Sequence, residues 1–183
     1  MKATPTDIPD VILLTPDVFG DDRGYLLETW SGRVHPGLGI DLEFKQDNLS
    51  HSRQGILRGL HYQVNAVQGK LIQVINGTIF DVAVDMRRSS PTYGRWVSEV
   101  LSGETHQQLW IPPGFAHGFY VLSEKADVLY KCTDYYSPED ERTVRWNDPT
   151  LLINWPLEVG GGPILSERDR ERSCPFAEAE AFE

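Results

Sequence analysis

Arg58, His61, Lys70 and His117 are four side chains able to hold or move a proton, and all sit in or beside short apolar runs. Arg58 and His61 belong to "LRGLHYQ", residues 57–63, and His117 to "IPPGFAHGF", residues 111–119. Residues two apart on a strand face the same side, so His61 and Gln63 are expected to look together into the interior. An imidazole titrates near neutrality and suits a general base. On its own, His61 reads better as a core histidine bonded to a backbone carbonyl than as a base. Its company changes that reading, because Arg58, Lys70 and His117 are expected near the same interior. A structural core rarely holds so many cation-capable groups. Their charges call for an anionic ligand or for paired acids.

The elements that must position these groups are short. Turn signals recur at Gly20-Asp21-Asp22, Gly55, Asn76-Gly77, Ser89-Ser90-Pro91, Pro112-Pro113-Gly114 and Ser137-Pro138, and the apolar runs between them are too brief for ordinary helices. Leu71–Ile75 and Thr78–Asp85 flank Asn76-Gly77, a strong hairpin signal because both residues tolerate positive φ. Phe80, Val82 and Val84 alternate with Asp81, Ala83 and Asp85, the period of a strand. "WVSEVL", "FYVL" and "DVLYKCTDYY" read as further strands. Helix is expected only near the end, where Ser166 can cap "ERDRE" and "FAEAEAF" follows. The pattern predicts an all-β sandwich or barrel of jelly-roll type with short peripheral helices, one domain spanning residues 1–183.

With 183 residues, 40% apolar and 24% charged, the composition is that of a globular protein. A net charge of −10 argues against nucleic acid as a partner, yet a local cationic cluster can still hold a small anion. Cys132 and Cys174 show neither metal nor redox spacing. The first twenty residues have Asp and Pro inside their apolar run, so neither a signal peptide nor a membrane span is expected, and a cytoplasmic location follows.

No GxSxG, GxxxxGK[ST], GxGxxG or HExxH motif occurs. "GLHYQ" together with Pro112, Gly114 and His117 resembles the two motifs of the cupin superfamily, β-barrels that often bind a metal. A metal cupin supplies H-x-H and a carboxylate from the first motif and a further His from the second. Here Gln63 stands at the second His, a poor ligand for a transition metal, and Lys70, a cation, follows Gln68-Gly69. Two histidines fall short of the usual three protein ligands, so no metal and no other cofactor are expected.

Over nearly its full length the chain resembles the dTDP-4-dehydrorhamnose 3,5-epimerase family. The matching stretches, in family order, are "IPDVILLTPDVFGDDRGYLLE", "QDNLSHS", "GILRGLHYQ", "QGKL", "FDVAVDMRRSSPTYGRW", "LWIPPGFAHGFYVLSE", "LYKCTDYYSPEDE", "WNDP" and "ILSERD". The resemblance implies a metal-free cupin-type jelly roll acting as a homodimer on a dTDP-4-keto-6-deoxyhexose. It makes His61 the base, Asp169 its dyad partner, Lys70 the cation at the enolate oxygen and Tyr130 the proton donor on the opposite face. Arg23, Glu28, Gln46, Asn48, Arg58, Lys70, His117, Glu141 and Arg168 fall on substrate-contact positions. It also implies that the segment carrying Arg23 and Glu28, within residues 1–30, reaches across the dimer. By pattern alone Lys70 and Asp169 read as solvated charges, Tyr130 as a barrel aromatic, and Arg23 and Glu28 as surface charges.

Three departures from the family pattern stand out. Tyr25-Leu26-Leu27 replaces a usual aromatic triplet, leaving Tyr135 or Tyr136 to stack on the thymine. Arg168 replaces a usual Lys, exchanging a point charge for a planar fork. "EVGGGP", residues 158–163, reads as a short insertion ahead of Asp169. Epimerisation at C3 or C5 alone, ketoisomerisation, a metal-dependent cupin and a non-catalytic sugar-nucleotide binder are the other readings the residues allow.

Overall fold

The computed structural model describes residues 1–157 and 161–183; the first half of the expected insertion at 158–163 falls outside the described residues. The chain opens with β1 (Lys2–Pro5), β2 (Ile12–Thr15), β3 (Val18–Asp21) and β4 (Gly24–Leu27). It continues through β5 (Gln46–Arg53), β6 (Leu57–Gln63), β7 (Lys70–Asn76) and β8 (Thr78–Asp85). β9 (Trp96–Ser102), β10 (Gln108–Ile111), β11 (Phe115–Val121), β12 (Lys125–Cys132) and β13 (Glu141–Thr143) follow. The strands form a six-stranded sheet in the order β1-β2-β10-β7-β12-β5, a five-stranded sheet in the order β13-β6-β11-β8-β9, and a separate β3–β4 hairpin. All strand pairs are antiparallel, the cupin-like, all-β architecture expected from the strand pattern.

The main core lies between the two larger sheets. Ile72, Val74, Leu109, Ile111, Ala126 and Val128 of one meet Ile79, Ala83, Val97, Leu101, Phe115 and Phe119 of the other. The alternation in β8 is real, but its apolar set faces outward. Val82 and Val84 pack with Leu60, Met86 and Ala116 beneath Val144, Leu151, Phe176 and Ala179 from the C-terminal third. The opposite set of β8, with Ile79 and Ala83 in the main core, carries Asp81 inward.

Asn76-Gly77 does not make a hairpin. β7 pairs with β10 and β12, whereas β8 pairs with β11 and β9, so the turn carries the chain from one sheet to the other. Gly77 has φ +83°, and a Cβ there would lie 2.0 Å from the carbonyl oxygen of Lys125. Glycine is therefore required by the close approach of the β11–β12 connection, which the hairpin reading could not distinguish from a tight turn. A 3-10 turn over His35–Leu38 was not expected from the sequence; it belongs to the 30–44 segment that covers Leu71 and Trp110. At the other end the helix α1 (Glu167–Glu171) forms as its capping residues indicate, with the Ser166 hydroxyl accepting from the Asp169 amide at 3.0 Å. "FAEAEAF" yields only a single 3-10 turn, Phe176–Glu178, because Ala179 is already extended.

Candidate active site

β6 and β11 bring the two histidines together, and an irregularity in their pairing decides which side chains join them. His117 pairs with His61 and Phe119 with Arg58, so two residues of β11 span three of β6. The extra residue reverses the parity of β6, which places Arg58 and His61, three apart in sequence, on one face. Gly59 permits this with φ +125°, and a Cβ on it would lie 2.5 Å from Gly118 Cα. No period-2 reading of "LRGLHYQ" could have supplied that arrangement.

A cavity of about 350 Å³ opens here, lined by Arg58, His61, Gln63, Lys70, His117 and Tyr130, with Gln46, Asn48, Tyr136 and Glu141 among the others around it. His61 belongs to the five-stranded sheet, while Lys70 and Tyr130 come from the six-stranded sheet facing it. The base candidate and the hydroxyl thus approach the cavity from opposite walls.

His61 Nε2 is hydrogen-bonded to Asp169 Oδ1, a carboxylate supplied by α1 and only 4% exposed. Burial works to raise the pKa of Asp169, but the His61 bond and charge, the Ser166 hydroxyl and the Arg58 charge outweigh it and hold the carboxyl below its ordinary value. Asp169 is therefore ionised at neutral pH and fixes the Nε2–H tautomer, leaving Nδ1 as the basic atom. It is not a solvated helix charge.

Lys70 is likewise no surface charge. It is 9% exposed and its Nζ lies 3.4 Å from the carbonyl oxygen of His61. Burial lowers its pKa, against the opposing pull of Cys132 and Asp81. An amine so placed is poised to meet an anionic oxygen, where its charge is felt through a low dielectric. Burial also raises the pKa of the Tyr130 hydroxyl, keeping it protonated and able to donate.

A residue the sequence reading missed stands behind His117. Asp81, fully buried, accepts from His117 Nε2 at 2.9 and 3.1 Å through its two oxygens. Burial depresses the His117 pKa, Asp81 opposes, and Lys70 and His61 add to the depression, so the ring is neutral. The available signal was an aspartate inside an apolar strand, on the face opposite Val82 and Val84.

Gln63 shares the His61 face but is fully engaged. Its amide donates to the carbonyl oxygens of Ala66 and Tyr135, and its Oε1 accepts from the Ser137 amide. Among the described residues, no three His, Cys, Asp or Glu side chains converge as a metal site would require. Gln46 and Asn48 are bonded to each other, and Arg58 Nε donates to the Ser52 hydroxyl at 2.9 Å. Arg168 pairs with Glu141 and donates to the Tyr136 hydroxyl at 2.8 Å. Tyr136 lines the cavity, whereas Tyr135 lies outside its lining, under Lys45.

Arg23 and Glu28 do not join them. Arg23 sits at the β3–β4 turn, 89% exposed and forked onto Asp21, and Glu28 follows β4 at the surface. Neither lines the cavity of its own chain.

A carboxylate-supported histidine, a buried lysine and a facing tyrosine thus share one cavity of a cupin-like antiparallel barrel, a set of groups able to carry acid–base chemistry. The chain belongs to the dTDP-4-dehydrorhamnose 3,5-epimerase family, whose model matches residues 5–176. It is 55% identical over 183 residues to a dTDP-4-dehydrorhamnose 3,5-epimerase of Pseudomonas aeruginosa, covering 100% of this chain and 99% of that protein. A dTDP-6-deoxy-D-glucose-3,5-epimerase of Legionella pneumophila, solved with dTDP-4-keto-L-rhamnose, superimposes with a TM-score of 0.92 at 48% identity, over 98% of this chain and 94% of that one. The dTDP-4-dehydrorhamnose 3,5-epimerase of Bacillus anthracis, with TDP and PPi bound, gives 0.89 at 46% identity over 93% and 97%.

Proposed function

We propose that the chain is an isomerase that inverts C3 and C5 of dTDP-4-dehydro-6-deoxyglucose to give dTDP-4-dehydro-L-rhamnose. The observation that carries this reading is the His61–Asp169 pair facing Tyr130 across a cavity that also holds Lys70. The C4 ketone acidifies the hydrogens on both neighbouring carbons. His61 Nδ1 removes the proton from one of them, and the electrons of that C–H bond pass into the C3–C4 or C4–C5 bond as the carbonyl becomes an enolate. Lys70 stabilises the charge on O4. Tyr130 then delivers its proton to the same carbon from the other wall, which inverts the centre. Each inversion leaves a proton gained on His61 and one lost from Tyr130, so exchange with solvent resets the pair before the second centre reacts.

Arg58 offers a forked donor suited to the diphosphate and Tyr136 a ring at the cavity for the thymine, whereas Arg168, expected as a substrate contact, lies outside the cavity lining and is held by Glu141 and Tyr136. The donor set supports a reaction without a resident metal: Gln63, at the position of a cupin's second histidine, spends both atoms of its amide on protein partners, and the Nε2 atoms of His61 and His117 are each held by a carboxylate. The same reading takes residues 1–183 as one domain and places its work in the cytoplasm, in keeping with two free cysteines.

Incubation with dTDP-4-keto-6-deoxyglucose in D₂O, with chelator and without nicotinamide, tests the chemistry. Deuterium is expected at both C3 and C5 by NMR and mass spectrometry. Incorporation at one carbon only would replace this reading with a single-centre epimerase, and none at all with dTDP still bound would leave a binding protein. Activity lost to the chelator and restored by zinc or iron would overturn the metal-free mechanism.

The working unit in this reading is a homodimer. The β3–β4 hairpin carries Arg23 at its turn and exposes Val18, Phe19, Tyr25 and Leu26. Since Arg23 and Glu28 do not reach their own cavity, a second copy is the natural recipient. Sedimentation at assay concentration is expected to give twice the chain mass; a fully active monomer would exclude the shared site.

A further inference from the structure

Asp169 reaches His61 from a helix of only five residues, and what keeps that helix in place matters for the chemistry. Main-chain bonds tie the segments on both sides of it, Leu57 N to Ile164 O at 3.0 Å and Ile164 N to Gly55 O at 2.8 Å before the helix, and Cys174 N to Thr143 O at 3.0 Å and Arg145 N to Cys174 O at 2.9 Å after it. From the helix itself, the residue adjoining Asp169 makes the other cross-molecule contact: Arg168 pairs with Glu141 and donates to the Tyr136 hydroxyl, which in turn donates to Glu141 Oε2 at 3.1 Å.

Tyr136 is itself firmly placed. Its amide donates to Gln46 Oε1 at 3.0 Å, and the neighbouring Tyr135 carbonyl and Ser137 amide are both held by Gln63. A continuous set of polar contacts therefore runs from the cavity wall through Gln63 and Tyr136 to Arg168, and so to the residue next to Asp169.

We propose that the Tyr136 hydroxyl is a positioning group for the His61–Asp169 pair, acting through Arg168. The proposal rests on the epimerase reading for its catalytic consequence but not for its geometry. Glu141 holds the Arg168 charge, and the phenol sets the direction of the guanidinium plane with a second, differently angled bond. With the phenol gone, Arg168 retains a partner but not a fixed orientation, and α1 gains freedom along the line that brings Asp169 to the imidazole. A misplacement well under a hydrogen-bond length in a supporting group is enough to cost turnover. Gln63, which stands where a metal cupin has its second histidine, then has a part in the site: it anchors the loop that carries Tyr136.

Tyr136→Phe keeps the ring, and with it any stacking on a base, and removes only the hydroxyl. It is expected to lower kcat about tenfold, the scale of one lost hydrogen bond, with KM within twofold of the parent. In an Asp169→Asn background the same change is expected to cost nothing further, because the residue it acts through is already gone. A rise in KM at unchanged kcat would make the hydroxyl a ligand contact and overturn the proposal. So would an undiminished loss in the Asp169→Asn background, or full activity.

A second readout does not depend on turnover. The low-field proton resonance of His61 Nε2–H, absent in Asp169→Asn, is expected to move upfield or broaden in Tyr136→Phe. An unchanged resonance overturns the positioning role even if the protein proves not to be an epimerase. A shifted resonance in a protein that exchanges no deuterium would retain the coupling and discard the reaction.

Discussion

Asp169→Asn is expected to lower kcat by about three orders of magnitude while the barrel folds normally and dTDP binds nearly as well as before. The substitution is isosteric, so packing beneath α1 is kept. Its effect lies in the proton inventory. Ionised Asp169 accepts from His61 Nε2 and leaves Nδ1 with a lone pair for the substrate. An asparagine that turns its amide toward the ring donates instead, which moves the imidazole proton to Nδ1 and removes the base. His61→Ala is expected to cost at least as much, and the double variant no more than the worse of the two, since they act as a unit. Steady-state kinetics with calorimetric dTDP affinities provide the check. An Asp169→Asn enzyme within tenfold of the parent would show that His61 needs no carboxylate, and a collapsed dTDP affinity would move Asp169 from chemistry to binding.

The pH dependence carries the same signature. Asp169 has its pKa depressed in the folded chain. It therefore contributes stability that is present above the unfolded carboxylate pKa and is lost as pH falls through the lower, folded one. Asp169→Asn should flatten that acid limb of the stability curve.

Lys70→Met is expected to act in opposite directions on turnover and stability. Losing the cation at O4 should cost about 10²–10³ in kcat, the range for removing one preorganised stabiliser of a developing oxyanion. Yet Lys70 is a buried amine whose charge burial disfavours. An apolar side chain of similar length should therefore stabilise the fold by about 1 kcal/mol, or roughly 2–4 °C in Tm for a chain of this size. The sign with pH follows from the depressed pKa. Below its folded pKa, Lys70 is charged in both states and its penalty is fully present. As pH rises from there toward the unfolded value the unfolded chain holds more protons, and the parent gains stability. Lys70→Met should lack that alkaline gain. Thermal melts across pH 7–11 with parallel kinetics test both halves. A variant that is inactive and less stable would mean the lysine holds the site together rather than serving the enolate.

What the sequence disclosed follows the range of the forces involved. Ser166 capping "ERDRE" is a local bond between residues three apart, and it forms as written. The strand periods were legible for the same reason. Asn76-Gly77 misled because a turn preference does not name the strands' partners: Gly77 is held tight by Lys125, nearly fifty positions on. The placement of Arg58 beside His61 depends on an extra residue in β6 relative to β11, a property of a pair of strands that neither strand carries alone. Asp81 was visible as an acid in an apolar strand, but its partner His117 comes from another strand. The burial of Lys70 and Asp169 needed tertiary structure, since pattern alone gives a charged residue to solvent.

The separation of 108 positions between His61 and Asp169 also gives the chain a temporal order. Chain growth delivers every strand that lines the cavity, including Lys70, His117 and Tyr130, before the carboxylate that supports the base. A nascent chain stopped ahead of Ile164 thus carries the cavity walls but an imidazole without its orienting acid. In the proposed reading, competence at this centre arrives only once α1 has been made and docks, after all the strands that line the cavity.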